Sequence, residues 1–449
     1  MLPRARLVAL AARANQSALA DKLLKGNPLA ARRVRETMRA FDSADLGQRR
    51  RLTDYLTARI INQARRAGYG RSFGPDYETW PILTKKRVRD GSGDFTAGAP
   101  LRIPASTGGT SGIPLALWRS PASLAAEQLF LDRIIEGSGR TWSGSRVVCL
   151  RGSQVKSLDD WAPPFGIETH RGQRLVFSTP HLAPETLSWF FDKLEAFRPE
   201  LMWIWPTAAA TLLQLNRRGR RLRMPLVVSS SEQLMPELRR EIAEAWGARV
   251  IDYYGQAERS CFAASWRQDE YWFQPAYGRV ELRPTATDEI VDGHRHVPIV
   301  GTGFWNSAMP LVRYDTGDCA LVPADCSEGE MEEIALGLRP FSGVAGRRED
   351  YILSQAGHRI PGLNQLPREI NHLLQMQIVQ RRPDCIVIRA LVRPGFDAGD
   401  RERLMANARA KIPPTITIEI ETTDRLESSA QGKTPFIIRH ASGAESCAG

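Results

Sequence analysis

Short apolar runs alternate with amphipathic helical segments between residues 147 and 255, and this alternation constrains the fold more than any other feature. The runs are residues 147–150, 175–177, 201–205, 226–228 and 249–253. Strands that are joined through helices favour a mainly parallel sheet whose faces the helices cover. The pattern therefore predicts an α/β domain.

The segments between the runs carry helix boundary signals. Ser120 precedes Pro121, which is typical of an N-cap followed by proline in the first turn. Pro236 opens a second helix, and Gly247 closes it. The connections between the strands are therefore predicted to be helical.

The pattern changes after residue 278, where β-like runs at 279–282, 289–291, 296–300 and 311–313 surround the hairpin turn signal Asp292-Gly293. A last segment has predicted helices at 367–374 and 400–411 and strands at 385–392 and 415–420. We expect a large N-terminal domain over 1–346 with mainly parallel helix-covered sheets and an antiparallel β appendage. A small C-terminal α+β domain follows over 347–440, and the tail 441–449 is expected to be disordered.

Composition excludes several classes of protein. The 449 residues are 42% hydrophobic and 25% charged, which is not typical of a disordered chain or of a collagen-like fibre. The six cysteines are scattered and none forms a CxxC pair, which favours a reducing, cytoplasmic compartment. No apolar run approaches the roughly 20 residues that cross a bilayer, so no membrane association is expected. The net charge is +11, and the basic residues occur in short arginine clusters and not in one stripe. This distribution favours solvated helix faces over a nucleic-acid groove.

The segment from Ser106 to Pro114 combines three glycines with four hydroxyl side chains. Glycines let backbone N–H groups approach an anion closely, and hydroxyl groups add donors, so the composition indicates a phosphate-binding loop. The segment lacks the lysine of a Walker P-loop. A flexible Ser/Thr/Gly surface loop remains the alternative.

Four further segments indicate a functional site only when they are taken together, since each alone is also typical of a turn, a linker or an exposed surface residue. They are residues 252–258, which follow a predicted strand; 313–318, with two carboxylates; 346–350, at the expected domain junction; and 429–435, with a lysine after glycine. Ligands of open α/β sheets bind beyond the carboxyl ends of the strands. Glu258, just beyond one such end, has the oxygen ligands that Mg²⁺ prefers.

In this order and spacing, the five segments resemble the adenylate-forming superfamily of acyl-CoA synthetases, luciferases and peptide-synthetase adenylation domains. The resemblance is closer to the phenylacetate–CoA ligase branch and its capsular-polysaccharide-type relatives. Residues 80–85, 229–234 and 377–380 also resemble that branch. The resemblance covers roughly residues 50 to 440.

The resemblance implies a role for each matching position. Residues 1–346 would bind ATP and the acyl group, and 347–440 would form a mobile lid that carries a catalytic lysine. The implied catalytic residues are Lys433, Glu258 and Thr107, with Glu258 also holding Mg²⁺ and Glu349 acting as the hinge. The implied nucleotide-binding residues are Ser106, Thr107, Gly108, Gly109, Thr110, Ser111 and Gly112 for the phosphates, Ser231, Glu232, Tyr254 and Gly255 around the adenine and acyl group, and Asp318 and Arg347 for the ribose or phosphate.

The implied reaction activates a small carboxylic acid, with aromatic acids favoured, as acyl-AMP. The acyl group then passes to a thiol of CoA or of a phosphopantetheine carrier protein. Ala257 and Glu349 depart from the residues usual in the family, and the absence of Cys and His from 265–272 predicts no zinc. The sequence does not indicate an oligomeric state.

Two alternatives stay open. One is an adenylate-forming enzyme with an amine or hydroxyl acceptor, in secondary-metabolite or polysaccharide biosynthesis. The other is an arginine-rich nucleic-acid-binding protein on a degenerate scaffold, although the residues of the resemblance argue that nucleic acid is not a partner.

Overall fold

A computed structural model provides the structure of the chain. It describes residues 27–98, 101–107, 115–153, 155–157, 159–216, 219–286, 288–291, 293–345, 351–355, 359–360, 363, 366–367, 370, 372–428 and 434–440. The chain divides into two compact units. Unit 1 comprises Met1–Ser145, Glu168–Arg174 and Ile251–Val344, and unit 2 comprises Arg146–Ile167, Leu175–Val250 and Ala345–Gly449. The boundary at residue 346 and the mobility of the C-terminal segment stay predictions.

The described helices and strands follow each other in mixed order. The helices are α1 (Pro28–Asp42), α2 (Leu46–Ala64), α3 (Lys85–Asp90), α4 (Pro121–Ile135), α5 (Leu187–Phe197), α6 (Pro206–Leu215), α7 (Pro236–Trp246), α8 (Glu328–Ala335) and α9 (Ala398–Arg409). The strands are β1 (Ile103–Ser106), β2 (Ala116–Arg119), β3 (Val147–Leu150), β4 (Gly166–Thr169), β5 (Arg174–Phe177), β6 (Leu201–Ile204), β7 (Leu226–Ser230), β8 (Arg249–Gly255), β9 (Phe262–Arg267), β10 (Glu270–Phe273), β11 (Gly278–Leu282), β12 (Ile290–Val291), β13 (His294–Gly303), β14 (Tyr314–Pro323), β15 (Gly343–Ala345), β16 (Ile352–Leu353), β17 (Arg359–Ile360), β18 (Leu373–Arg382), β19 (Cys385–Val392), β20 (Thr417–Thr423) and β21 (Ile437–Arg439).

Unit 1 is built around antiparallel strands. Strands β11, β13, β14 and β15 lie in that order in one sheet, with β12 beside β13. Strands β1 and β2 form a separate antiparallel pair, and β8 pairs antiparallel with β9. A buried apolar cluster joins β2 to the start of β14 through Leu115, Leu117 and Tyr314. This cluster brings together chain segments that are far apart in sequence.

Unit 2 contains the parallel sheet that the alternation predicts. Strand β6 pairs in parallel with both β3 and β7. Helices α5, α6 and α7 contribute buried side chains to one large apolar core, which also contains Leu374, Leu391 and Leu426 from the C-terminal segment. That segment forms a four-stranded sheet in the order β20, β19, β18, β21. The predicted α/β class, with parallel and antiparallel sheets, is confirmed.

The helix boundaries follow the local signals in the sequence. The Ser120 side chain accepts a hydrogen bond from the backbone N–H of Ser123 at 3.2 Å, and Pro121 occupies the first turn of α4. Gly247 ends α7 with a φ of 61°, which glycine adopts at little cost. Both boundaries are therefore set by residues next to the helix ends.

Two elements differ from the prediction. Residues 311–313 do not form a strand, because Arg313 adopts a φ of 52° and β14 begins only at Tyr314. The helix predicted at 367–374 is wrong at its end, since Leu373 and Leu374 begin the ten-residue strand β18, where Leu373 pairs with Val392 of β19. Among the described residues, no helix combines the length and apolar character needed to cross a membrane.

Candidate functional site

The end of β8 is tied to β14 by a hydrogen bond between two predicted nucleotide-binding residues. The Tyr254 hydroxyl donates to Asp318 Oδ2 at 2.8 Å. Burial, reinforced by the charge of Asp318, raises the pKa of Tyr254 well above its usual value, so the phenol stays a protonated donor. The structure thus brings the predicted adenine and ribose contacts together.

Glu258 lies just beyond the same strand and is 8% exposed. Its Oε1 accepts a hydrogen bond of 2.8 Å from the hydroxyl group of Tyr314, the first residue of β14. Leu83 holds the backbone on both sides of Tyr314, because its N–H donates to Arg313 O at 2.8 Å and its carbonyl accepts from the N–H of Asp315 at 3.0 Å. The predicted Mg²⁺ ligand is therefore positioned by a tyrosine whose own backbone is fixed.

Arg313, which has an unusual positive φ, forms a buried ion pair through its side chain. Its guanidinium group bonds both carboxylate oxygens of Glu281, at 3.1 and 2.7 Å, and donates to the carbonyl of Trp80 at 2.9 Å. The side chain is buried. The buried charge is thus paired at a residue with a left-handed backbone, directly before β14 begins at Tyr314.

The predicted phosphate-binding loop leaves β1 at Ser106 and Thr107. Thr107 is buried and exchanges two hydrogen bonds with Leu115, through its backbone N–H at 3.1 Å and its hydroxyl oxygen at 2.9 Å. Ser106 is exposed opposite Ala116. Gly108, Gly109, Thr110, Ser111 and Gly112 lie outside the described residues. Thr107 therefore closes the base of this loop.

Arg119, at the end of β2, connects the base of the loop to the segment after β8. Its guanidinium group donates to the carbonyl of Ala257 at 3.1 Å. Burial and the nearby Arg259 lower the pKa of Arg119 to about 10, and Glu127 and Glu258 oppose this shift. Arg119 therefore stays charged at neutral pH and interacts electrostatically with Glu258.

The backbone around Gly255 is open. Gly255 is exposed, and a Cβ atom there would meet its nearest neighbours only at 3.8 Å. The protein interior therefore does not require glycine at this position. A bare backbone at the end of β8 fits the close approach of a ligand.

Ser231 and Glu232 lie in unit 2, after β7. Ser231 is exposed and has a φ of 74°. Glu232 Oε2 accepts from the backbone N–H of Thr207 at 2.9 Å and from its hydroxyl group at 2.6 Å, at the start of α6. Its Oε1 accepts from the backbone N–H of Thr434 at 3.2 Å. The carboxylate is therefore engaged with protein groups on both oxygens.

Trp203 on β6 contacts the guanidinium group of an arginine. The guanidinium carbon of Arg151 lies 3.5 Å from the ring centroid of Trp203, and the Trp203 indole donates to Ser230 Oγ at 3.2 Å. Trp205, two residues on, is buried in the core of unit 2. One face of Trp203 is thus already covered.

The donor set around Glu258 fits Mg²⁺. Where the structure describes the chain, no three Asp, Glu, His or Cys side chains cluster as a complete metal site. Mg²⁺ in nucleotide sites is usually bound through one or two carboxylates together with phosphate oxygens. Glu258, a single buried carboxylate near the base of the predicted phosphate-binding loop, fits this mode of Mg²⁺ binding.

Three further predicted site residues, besides those of the phosphate-binding loop, have no described structure. Lys433, Arg347 and Glu349 lie outside the described ranges, and their roles stay predictions. Tyr314 and Thr207 contact predicted site residues, although the sequence assigned neither of them a role. Tyr314 lies within the motif segment 313–318, whereas Thr207 lies in none of the motif segments.

Comparisons with known proteins agree with this fold. No protein-family model matches the sequence. Protein CapK of Staphylococcus aureus is 21% identical over 347 residues, which cover 75% of this chain and 74% of CapK. Among solved structures, 2-hydroxyisobutyryl-CoA ligase in the postadenylation state with 2-HIB-AMP aligns with a TM-score of 0.61 at 18% identity. That alignment covers 87% of this chain and 89% of the ligase chain.

The same ligase with 2-HIB-AMP and CoA, in its thioesterification state, aligns with a TM-score of 0.52 at 17% identity, over 88% of this chain and 90% of the ligase chain. This degree of identity shows a shared fold. The chain thus has the fold of an adenylate-forming acyl-CoA ligase, and the predicted resemblance to that superfamily is confirmed at the level of fold.

Proposed function

We propose that this chain, with the fold of an acyl-CoA ligase, is an AMP-forming acid–thiol ligase. It activates a carboxylic acid with ATP and passes the acyl group to the thiol of CoA or of a phosphopantetheine carrier. The observation that carries the proposal is the convergence within unit 1 of three distant segments. The hydrogen bonds Tyr254–Asp318, Tyr314–Glu258 and Arg119–Ala257 connect the loop base, the end of β8 and the start of β14.

The first half-reaction forms the acyl-adenylate. A carboxylate oxygen of the acid attacks the α-phosphorus of ATP, the bond to the β-phosphate oxygen breaks, and pyrophosphate leaves. Both reactants are anions, so positioning and electrostatic stabilisation dominate the barrier. In this proposal Asp318 accepts from the ribose hydroxyl groups, the segment 106–112 donates to the phosphates, and Lys433 stabilises the charge between the two anions.

Mg²⁺, when bound, neutralises phosphate charge. Glu258 is the residue that would hold it, with its carboxylate oriented by Tyr314. The exposed backbone at Gly255 accommodates the flat adenine or the acyl group.

The second half-reaction releases AMP. The thiol sulfur attacks the acyl carbon, the bond from that carbon to the phosphate oxygen breaks, and the thiol proton is lost to solvent. Lys433 is not needed at this step, so the C-terminal segment is free to rotate about Glu349 and admit the thiol.

An aromatic acid is our proposed substrate class. The half-buried Trp203 provides an aromatic side chain that suits a ring, and the charge of Arg151 beside it suits a carboxylate. The preference is open to direct measurement with matched aromatic and aliphatic acids.

Pyrophosphate release with a panel of aryl and alkyl acids, each with and without CoA, tests the proposal. We expect release with ATP, Mg²⁺ and an aryl acid, and an acyl-CoA product by mass spectrometry. Glu258→Gln should lower the rate, whereas Glu244→Gln on the exposed face of α7 should not. Adenylate formation with transfer only to an amine or a hydroxyl group would refute the thiol acceptor, and no release with any acid would refute the adenylation.

A further inference from the structure

The carboxyl ends of three neighbouring parallel strands in unit 2 bring an arginine, a tryptophan and a serine together. Arg151 directly follows β3, Trp203 lies in β6, and Ser230 is the last residue of β7. The guanidinium carbon of Arg151 lies 3.5 Å from the centroid of the Trp203 ring, and the Trp203 indole N–H donates to Ser230 Oγ at 3.2 Å. Ligands of open α/β sheets bind at this edge of the sheet.

The backbone on both sides of Arg151 is fixed by hydrogen bonds. The carbonyl of Leu150 accepts from the N–H of Trp205 at 3.0 Å. On the other side, the N–H of Gly152 donates to the hydroxyl oxygen of Thr179 at 3.1 Å. An arginine whose two neighbours are both held presents its guanidinium group at a defined place, as a preorganised binding site requires.

The charge of Arg151 lacks an oxygen partner. The side chain is half-buried, and its Nε is buried without a hydrogen-bond partner. Within the described part of the chain, no carboxylate or carbonyl oxygen bonds the guanidinium group, which contacts the π face of Trp203. A cation–π contact offsets only part of the cost of removing a cation from water. By contrast, the buried Arg313 bonds both carboxylate oxygens of Glu281. We therefore expect a ligand to supply the missing oxygen atoms at Arg151.

The contact with Trp203 indicates which anion fits. A separation of 3.5 Å fits two planar groups lying face to face, which leaves the N–H donors of Arg151 at the edges of its guanidinium plane. A carboxylate matches two such donors with its two oxygens. The carboxylate that attacks ATP needs an oxygen free for the α-phosphorus, so the one that Arg151 engages through both oxygens is a different carboxylate.

We infer that Arg151 is a specificity-determining residue, and that the substrate is an aromatic acid with a second carboxylate, which this arginine binds. The inference deepens the proposed function and rests on it. One carboxylate of the diacid is adenylated as described above. The second forms no covalent bond and leaves unchanged in the product.

Binding of matched acids tests the inference without turnover. Calorimetric titration with Mg²⁺ and α,β-methylene-ATP, which does not react, compares benzoate with phthalate, isophthalate and terephthalate, which differ from it by one added carboxylate. At least one diacid should bind the parental protein roughly tenfold to hundredfold more tightly than benzoate, because a charge-assisted bidentate contact is gained. If the parental protein binds none of the diacids, or none better than benzoate, the inference is overturned.

Arg151→Gln keeps a planar polar group but removes the charge, so its affinities for benzoate and for the preferred diacid should become nearly equal. A preference that persists at the parental level in this variant would overturn the inference. Arg151→Lys keeps the charge without the planar fork and should retain a smaller preference, so it tests the contact even where Arg151→Gln fails to fold.

Arg439→Gln is the matched control. The guanidinium carbon of Arg439, on β21 of the C-terminal sheet, lies 4.0 Å from the ring centroid of Tyr351. The substitution removes the same charge and a comparable ring contact, so the preference for the diacid should remain at the parental level. An equal loss of preference in Arg439→Gln and Arg151→Gln would assign the effect to net charge and overturn the inference.

Pyrophosphate release with the same acids separates the inference from the proposed function. If a diacid binds through Arg151 while no acid supports release, adenylation fails and the diacid site stands. If benzoate and the diacids support release with equal kcat/KM in the parental protein and in Arg151→Gln, adenylation stands and the diacid site fails. A KM for ATP or CoA that rises in Arg151→Gln equally with every acid would assign the guanidinium group to a phosphate and also overturn the inference.

Discussion

Tyr314 donates its hydroxyl proton to Glu258 across 56 residues of sequence, at 2.8 Å. Both side chains are buried, so the bond orients the carboxylate where exposure to solvent is low. The candidate metal ligand is thereby fixed before any metal binds.

Tyr314→Phe is expected to weaken the response to Mg²⁺. A hydrogen bond to a charged group contributes about 1.5–3 kcal/mol, so roughly tenfold more Mg²⁺ should be needed for half-maximal pyrophosphate release. Tyr69→Phe removes another buried hydroxyl group, one that donates to Pro310 O at 2.6 Å, and should leave the Mg²⁺ dependence unchanged. An unaltered Mg²⁺ curve in Tyr314→Phe would argue that Glu258 does not bind the metal.

Lys433→Ala is expected to lower the adenylation rate by on the order of 10²–10³, since a positioned charge is lost from the transition state. ATP binding and the thioester step from a supplied acyl-adenylate should be retained. Lys86→Ala, at a side chain that is 83% exposed, serves as the control. Parental exchange rates in Lys433→Ala would reject the catalytic role of the lysine.

Glu281→Ala should destabilise the fold, because it removes the closer carboxylate of the buried Arg313 guanidinium group and leaves only the exposed Glu78 at 3.6 Å. Breaking a buried pair costs about 3–5 kcal/mol, which urea unfolding would register as a lower midpoint. Arg339→Lys alters a half-exposed pair with Glu330 and Glu333 and should change stability by less than about 1 kcal/mol. Equal effects of the two substitutions would show that the Arg313 pair adds no special stability.

Alkaline pH should destabilise the protein through Cys261. Burial raises the pKa of this thiol from 9.0 to about 12, although Gln256 donates a hydrogen bond to its sulfur. The folded chain therefore keeps a proton that the unfolded chain loses. This contribution to stability is complete below pH 9 and is lost as the pH rises towards 12, with a slope of at most about 1.4 kcal/mol per pH unit.

Cys261→Ser provides the comparison for this alkaline effect, because serine accepts from Gln256 but does not titrate in the same range. Its free energy of unfolding, followed by urea titration at several pH values, should fall less steeply above pH 9. Identical slopes in the two proteins would assign the loss of stability to other groups.

The sequence by itself determined the local elements and their order. The alternation of apolar runs predicted β3, β6, β7 and β8, and the neighbouring residues at Ser120 and Gly247 set two helix ends. These features depend on interactions within a few residues, which a pattern in the chain records directly. The five motif segments likewise indicated an adenylate-forming fold.

Only the tertiary structure decided which distant groups meet. The partner of Glu232 at Thr434 is 202 residues away, and no spacing in the sequence encodes that contact. The same holds for Arg313, whose buried guanidinium group pairs with Glu281, 32 residues away. Hydrogen bonds of this kind form where packing removes water from both partners, so they follow from how the core closes and not from any local pattern.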